Sequence, residues 1–576
     1  MRYVADSSDE VVDSVDSEIM MNQKLKEISY FIFFALILFA KGVGLYDGQK
    51  IFYLFLIPAV LFWCVKMVLT RYNIIELCAI GLLIVLGVLT WRIGGDKTAL
   101  VTVMVVTGIK DIKIEKLFKV SLGVWTISFF GTIIAYAMNL HGTVLFVHNK
   151  LGGFWLRDSL GQTHPNVLHV CYLVLVALWF LVFKFKGKKL VLASIVALLG
   201  GVYLYLFSWS NTGFLMLFAF LFAVNYFEVR GKISECLTKF EYVGLQLLFP
   251  IFTVLSMILP IFPQDGTKFF AFLYKLTNTR SYLTQLAYKN IPIRFFGTQI
   301  VDMPKSFSID CSFVYGLFHW GLPLFILSMV GTFFLIRYLI REHRYTELSM
   351  TLAFLFGGIT EQFLYNFSFK NLIWILLGEY MFVVLNGLNA KLSDKLSDKR
   401  KVMLDSGSAE SVGSNELFGL SDGVFGSKLI VTLDNIAGRI ESVFATISGA
   451  VENWWKAIVK HRVIILVVGV VGAIAGLAIG CATIHEPKYL VVNREKSSYV
   501  DGKFYYLIYG ELEDEIKNNS RKIDINSDAE KCYVFEGETV EFTENRERSA
   551  AACAGAVILM AGVGAIFTIK EKRERL

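Results

Sequence analysis

Long apolar stretches alternate with short polar, lysine-rich ones along most of this chain. A membrane-crossing helix needs roughly 20 apolar residues, and runs close to that length recur. They predict spans near 28–45, 51–69, 74–91, 97–110, 117–138, 166–184, 189–208, 212–229, 241–262, 312–336, 346–364 and 371–388. After a polar gap two more follow, at 463–484 and 549–569. The 97–110 run is short, and the 346–364 run carries Glu361. The expected fold is an all-α polytopic membrane protein of about twelve spans, followed by a two-helix hairpin that carries a small β-rich outer domain.

Lysine and arginine in the short loops indicate sidedness. Lys110, Lys113, Lys116 and Lys119 form one cluster, and Lys184, Lys186, Lys188 and Lys189 another. Arg230, Lys232 and Lys239 follow, then Arg337, Arg341 and Arg344, then Lys391, Lys395, Lys399, Arg400 and Lys401. Lys570, Lys572, Arg573 and Arg575 end the chain. With fourteen spans counted, every cluster falls on one side, read as the cytoplasm, and both termini lie inside. Residues 1–27 are acidic where a secretory signal starts basic. They are read as a cytoplasmic tail.

Four parts follow: the tail 1–27, a polytopic membrane domain 28–390, a cytoplasmic linker 391–462, and a hairpin 463–576 with an outer domain at 485–548. The first half of the linker reads as polar and loose. Its second half has apolar residues at 429, 433, 436, 440, 443, 447, 451, 454 and 458, the spacing of an amphipathic helix. That helix either lies on the inner membrane surface or packs on the bundle or a neighbouring subunit. The outer domain alternates polar residues with Val, Tyr and Phe, which predicts short strands. It holds fifteen acidic and ten basic residues and no catalytic constellation.

Composition agrees with a membrane protein. Of 576 residues, 55% are hydrophobic and 18% charged, against about 25% charged in soluble domains. Mean hydropathy is +0.56. The net charge of +7 sits at helix ends and not along one face, which argues against nucleic acid. The eight cysteines form no CxxC, and neither HExxH nor a P-loop occurs. No zinc site, no ATP hydrolysis, no metal and no cofactor are expected. Cys64, Cys78, Cys171 and Cys553 lie in apolar runs and read as packing residues. A Cys481–Cys532 pair is conceivable by position alone.

The notable polar residues fall in the loops assigned to the outside. "RDSLGQTHPN" (157–166) precedes span six, and the loop 263–311 contains "NTRSYLTQLAYKNIPIRFFGTQI" (278–300). Arg157, Arg280 and Arg294 are candidates to bind a pyrophosphate, because guanidinium forks match phosphate oxygens and stay charged. Lipid headgroups or salt bridges are the plain alternative. Pro165 and Asn166 suit the start of a helix. That leaves His164 as a candidate base or sugar ligand. Asp310 and Glu361 are carboxylates at helix ends that could accept a hydroxyl proton or hold sugar hydroxyls.

These stretches resemble the O-antigen polymerase and ligase superfamily, and within it the repeat-unit polymerase branch for capsules and exopolysaccharides. The resemblance covers about residues 25–390. It rests on "RDSLGQTHPN", "SWSNTGF" (208–214), "NTRSYL…IPIRFFG", "IDCSFVYGLFHWGLPLFIL" (309–327) and "ITEQFLYNFSFKN" (359–371), in that order. It implies a bundle like that of the metal-independent (GT-C-like) membrane glycosyltransferases, in a bacterial plasma membrane, acting on its outer face. The implied partner is an undecaprenyl-pyrophosphate-linked oligosaccharide. The implied reaction moves a growing glycan from undecaprenyl pyrophosphate to a sugar hydroxyl of the next lipid-linked repeat unit. Arg157 and Arg280 would hold the pyrophosphate, and His164 and Asp310 would orient or deprotonate the acceptor. Two departures stand out. Asn211 occupies a segment where many relatives carry arginine, and Asp310-Cys311 replaces the His-Asn common in ligases. The added hairpin is similar in layout to chain-length regulators, so 427–576 are expected to bind a regulator or flippase, or to self-associate. The alternatives are a ligase, with a cell-wall or protein acceptor, and a flippase of lipid-linked sugars.

Overall fold

A computed structural model describes residues 5–45, 49–138, 140, 145–150, 153–234, 236–261, 280–299, 309–365, 371–405, 461–483, 489–493, 504–508, 539–541, 560 and 563. The chain is an α-helical, multi-pass membrane protein. The helices are α1 (Ala5–Gly42), α2 (Lys50–Leu69), α3 (Ile74–Gly94), α4 (Thr98–Gly108) and α5 (Ile114–Ala137). A hairpin of β1 (Leu145–Lys150) and β2 (Gly153–Asp158) follows. Then come α6 (Pro165–Phe183), α7 (Gly187–Ser208), α8 (Asn211–Ile233), α9 (Lys239–Thr253), α10 (Arg280–Asn290), α11 (Ser312–Arg341), α12 (Tyr345–Gly357), α13 (Ile373–Asp405) and α14 (Arg462–Thr483). Strands β3 (Tyr489–Asn493), β4 (Phe504–Ile508) and β5 (Thr539–Glu541) pair antiparallel in the order β4-β3-β5.

Among the described residues nine helices are long and apolar enough to cross a bilayer: α2, α3, α5, α6, α7, α8, α9 with its continuation to Ile258, α11 and α13. Each coincides with an expected span. Two other expected spans fall on shorter helices. Helix α4 has 11 residues and α12 has 13. At 1.5 Å per residue these reach roughly 16 and 20 Å, short of a hydrocarbon core of about 30 Å. Their apolar residues are mostly buried against protein. The polar start of the linker is corrected, since α13 continues through it to Asp405. The stretch from Lys391 to Asp405 contains neither glycine nor proline to stop a helix. Cys171 is buried as expected, but Cys64 and Cys78 are exposed, on helices that turn apolar side chains outward. The amphipathic stretch 429–458, Cys532, Cys553 and most of 549–569 lie outside the described residues.

The chain forms two compact units. One comprises Met1–Ser128, Val170–Val202 and Asn211–Thr446; the other comprises Phe129–His169, Tyr203–Ser210 and Ile447–Leu576. In the first, the lysine-rich helix ends share one layer. Lys110 pairs with Glu76 and Lys184 with Glu115, while Arg230 reaches Glu241 at 2.7 Å. Glu228 accepts from Gly187 N at 2.8 Å, and the Phe227 and Tyr345 rings stack at 4.7 Å. The ends of α4, α6 and α8 and the starts of α3, α5, α7, α9 and α12 are thereby joined. Two of these starts carry capping boxes, Asn73 with Glu76 and Thr238 with Glu241, which satisfy backbone N–H groups left open at the first turn.

At its opposite end the first unit is irregular. Helix α11 breaks at Gly321, whose backbone is left-handed at φ 72°. A Cβ there would stand 2.2 Å from the Phe295 carbonyl oxygen and 2.4 Å from Gly297 N, so only glycine fits. Pro323 follows in the first turn of the second half, where its missing N–H costs nothing. The break folds the helix back on itself. Tyr365 packs its ring on Gly316 and bonds its hydroxyl to Ser328 at 2.9 Å. In a straight helix those two residues would stand roughly 18 Å apart, farther than one tyrosine side chain extends. The residues 291–299 lie over the break, with Thr298 N donating to the Phe318 carbonyl at 2.8 Å.

Candidate functional site

Three residues distant in sequence meet beside the first turn of α11. Arg280 donates from Nη2 to Glu361 Oε1 at 2.8 Å, and its Nε faces Asp310 Oδ2 at 3.4 Å. Its Nη1 lies 3.5 Å from the Thr212 hydroxyl, which accepts from Thr360 at 3.2 Å. The Arg280 and Glu361 side chains are 15% and 14% exposed. Arg280 is the first residue of α10, where the helix dipole disfavours a cation. The two carboxylates offset that. A guanidinium has five N–H donors. Three are engaged here, so two remain for a ligand among the described residues. Glu361 is held from its backbone: Ser312 Oγ donates to its carbonyl and accepts from Leu364 N at 3.1 Å. Cys311, two residues before Phe313, is buried, and burial pushes its thiol up to about 11.

In the second unit Arg157 is the penultimate residue of strand β2, just before Asp158, and it is buried. It donates from Nε to the Ser208 carbonyl at 2.6 Å and from Nη2 to Asn166 Oδ1. Asp158 accepts from Leu160 N at 2.8 Å and from the Tyr136 hydroxyl at 3.0 Å, closing the tight turn through Leu160 and Gly161. His164 precedes α6, and its Nδ1 accepts the N–H of Asn166 at 3.0 Å. The expected roles of the pair are therefore exchanged. His164 caps the helix, and Asn166 spends its side chain on Arg157. An imidazole that accepts at Nδ1 carries its proton on Nε2 when neutral. It then presents a donor there rather than a base.

Arg280, Asp310 and Glu361 are thus brought together, and Arg157 and His164 are linked through Asn166. Arg294 stands exposed in the segment after α10 and makes none of these contacts. Sequence reasoning missed two features. The β1–β2 hairpin, with Phe146 opposite Arg157, was foreshadowed by Gly152-Gly153 between two apolar runs. The second is a polar cluster around Asp96. Its Oδ1 accepts Thr98 N at 2.8 Å and also the Thr98 hydroxyl. Its Oδ2 faces the Tyr315 hydroxyl at 3.5 Å and His319 Nδ1 at 3.9 Å. No local motif marks it, since 96 and 319 meet only through the fold. No metal-type grouping of His, Cys, Asp or Glu occurs among the described residues. The chain matches no family model, no curated protein and no solved structure.

Proposed function

We propose that this protein is a polysaccharide repeat-unit polymerase, a metal-independent membrane glycosyltransferase. It transfers a growing glycan from undecaprenyl pyrophosphate to a sugar hydroxyl of another lipid-linked repeat unit. The observation that carries the reading is the Arg280 fork, gripped by Asp310 and Glu361 with two N–H groups left over among the described residues. It joins residues of four of the stretches that resemble the superfamily. Such a preorganised donor set stabilises the charge that develops on a leaving pyrophosphate. The lysine-rich end of the first unit faces the cytoplasm by the positive-inside rule, which turns the Arg280 end outward in a bacterial plasma membrane.

Arg280 and Arg294 are assigned to the pyrophosphate. Asp310 and Glu361 aim Arg280 and accept hydrogen bonds from sugar hydroxyls. Residues 463–576 set chain length, so their deletion should change polymer length and leave bond formation intact.

The test is purified protein with lipid-linked repeat units, comparing wild type with Arg280→Ala. The expected result is a ladder of longer glycans and free undecaprenyl pyrophosphate, both lost in the variant. Transfer to a different acceptor without a ladder would make the protein a ligase. A flippase is the second reading, favoured by the interrupted α11, because transporters build sites from discontinuous helices. Movement of intact lipid without bond formation would establish it.

A further inference from the structure

The polymerisation reaction needs a group to take the acceptor's proton; Asp310 and Glu361 are engaged by Arg280, and His164 Nδ1 is engaged by Asn166 N. We propose that His319, oriented by Asp96, is that group. The inference rests on the glycosyl-transfer reading above.

The geometry is that of a carboxylate–imidazole pair. Asp96 is fixed on one side by Thr98, which takes Oδ1 with both its N–H and its hydroxyl. Oδ2 is left toward His319 Nδ1 at 3.9 Å. That separation is one side-chain adjustment longer than a hydrogen bond, and catalytic contacts commonly tighten only with substrate bound. The Tyr315 ring stacks on the imidazole at 3.9 Å and 23°, which fixes its plane. The Tyr315 hydroxyl reaches the same Asp96 oxygen at 3.5 Å. With Nδ1 turned to the carboxylate, Nε2 is the ring's basic nitrogen, and it makes no hydrogen bond among the described residues. His319 is 19% exposed and Asp96 14%, so the pair is sheltered but reachable. The neighbouring cation, Lys97, is directed to the Tyr53 hydroxyl at 2.8 Å.

Position supports the role. Ser312, Tyr315 and His319 are spaced i, i+3, i+7 along the first half of α11, which puts them on one side of it. Ser312 touches Glu361 beside Arg280; His319 lies about 10 Å further along the helix axis. A sugar ring with its attached phosphates is of about that length. In the step, the acceptor oxygen bonds to the anomeric carbon and its proton passes to His319 Nε2. The anomeric carbon–oxygen bond to pyrophosphate breaks, and the pyrophosphate leaves with the electron pair. Asp96 is the counter-charge for the imidazolium, which then returns its proton to solvent.

The experiment compares wild type, His319→Ala, His319→Gln, Asp96→Asn and His343→Ala in detergent or proteoliposomes, using lipid-linked repeat units as the probe. His343, at the lysine-rich end and hydrogen-bonded to Tyr345 at 3.0 Å, is the control. Loss of a general base costs about 100-fold or more in turnover. That loss is expected in both His319 variants, with lipid-linked donor binding unchanged and partial rescue of His319→Ala by added imidazole. Asp96→Asn should lose about 10-fold, and His343→Ala should match wild type. Wild-type turnover in His319→Ala overturns the proposal alone. So does a loss confined to donor binding, or one that imidazole does not relieve in a variant that melts like wild type. A wild-type protein that forms no glycosidic bond with any acceptor overturns the reading on which the proposal rests.

Discussion

In the first unit, Lys110, Lys184 and Arg230 stand at the C-terminal ends of α4, α6 and α8. Their partners Glu76, Glu115 and Glu241 stand in the first turns of α3, α5 and α9. Each charge complements its own helix dipole, and neighbouring antiparallel helices pair those charges automatically. At the other end Arg280 opens α10, against the dipole, and α11 is broken by a left-handed glycine. Here the local preferences are overruled, and tertiary contacts hold the arrangement. Strain and opposed charge gathered at one end, with relaxed pairing at the other, is the pattern expected when one end carries chemistry and the other anchors the helices.

The contrast is broken most severely at Gly321. Gly321→Ala meets backbone atoms of Phe295 and Gly297 that cannot yield, and it forces φ 72° on a residue with a side chain. We expect a loss above about 4 kcal/mol and little folded protein on size exclusion in detergent. Next is Arg280→Ala, which leaves Asp310 and Glu361 as adjacent, largely buried like charges. A loss of about 3–5 kcal/mol is expected in thermal melts. Glu361→Gln in the same chain should restore part of it, whereas additive losses would refute the electrostatic account. At the relaxed end Lys184→Ala should cost no more than about 1 kcal/mol. Its side chain and that of Glu115 are 61% and 74% exposed, so the small effect should fade further in high salt. The mildest probe is Cys311. Burial holds its thiol near 11, so at pH 8 it should escape maleimide in the folded protein and react after unfolding, as read by mass.

The membrane helices were legible because a spanning segment must be apolar over its whole length, and nothing tertiary is needed to see that. The two short ones, α4 and α12, were legible for the same reason. Their residues are as apolar as a span, but they are apolar because protein surrounds them, and hydropathy does not distinguish protein from lipid. Individual residues of the candidate site were legible as polar groups in otherwise oily surroundings: Arg157, Arg280, Asp310 and Glu361 all stood out. Their partners did not. Asn166 looked like a cap and proved to hold Arg157, while His164 looked spare and proved to be the cap. Both residues fit either role by chemistry, and only the approach of β2 decided between them.

By itself the sequence determined that the chain is a helical membrane protein, where nine of its helices run, and which ends gather lysine. Those follow from the cost of exposing backbone and charge to hydrocarbon, which each segment meets alone. The tertiary structure decided that α11 turns back at Gly321, that Arg280 is gripped by residues 30 and 81 positions away, and that Asp96 faces His319. Contacts between distant segments have no local signature, because either partner is an ordinary residue until the fold supplies the other.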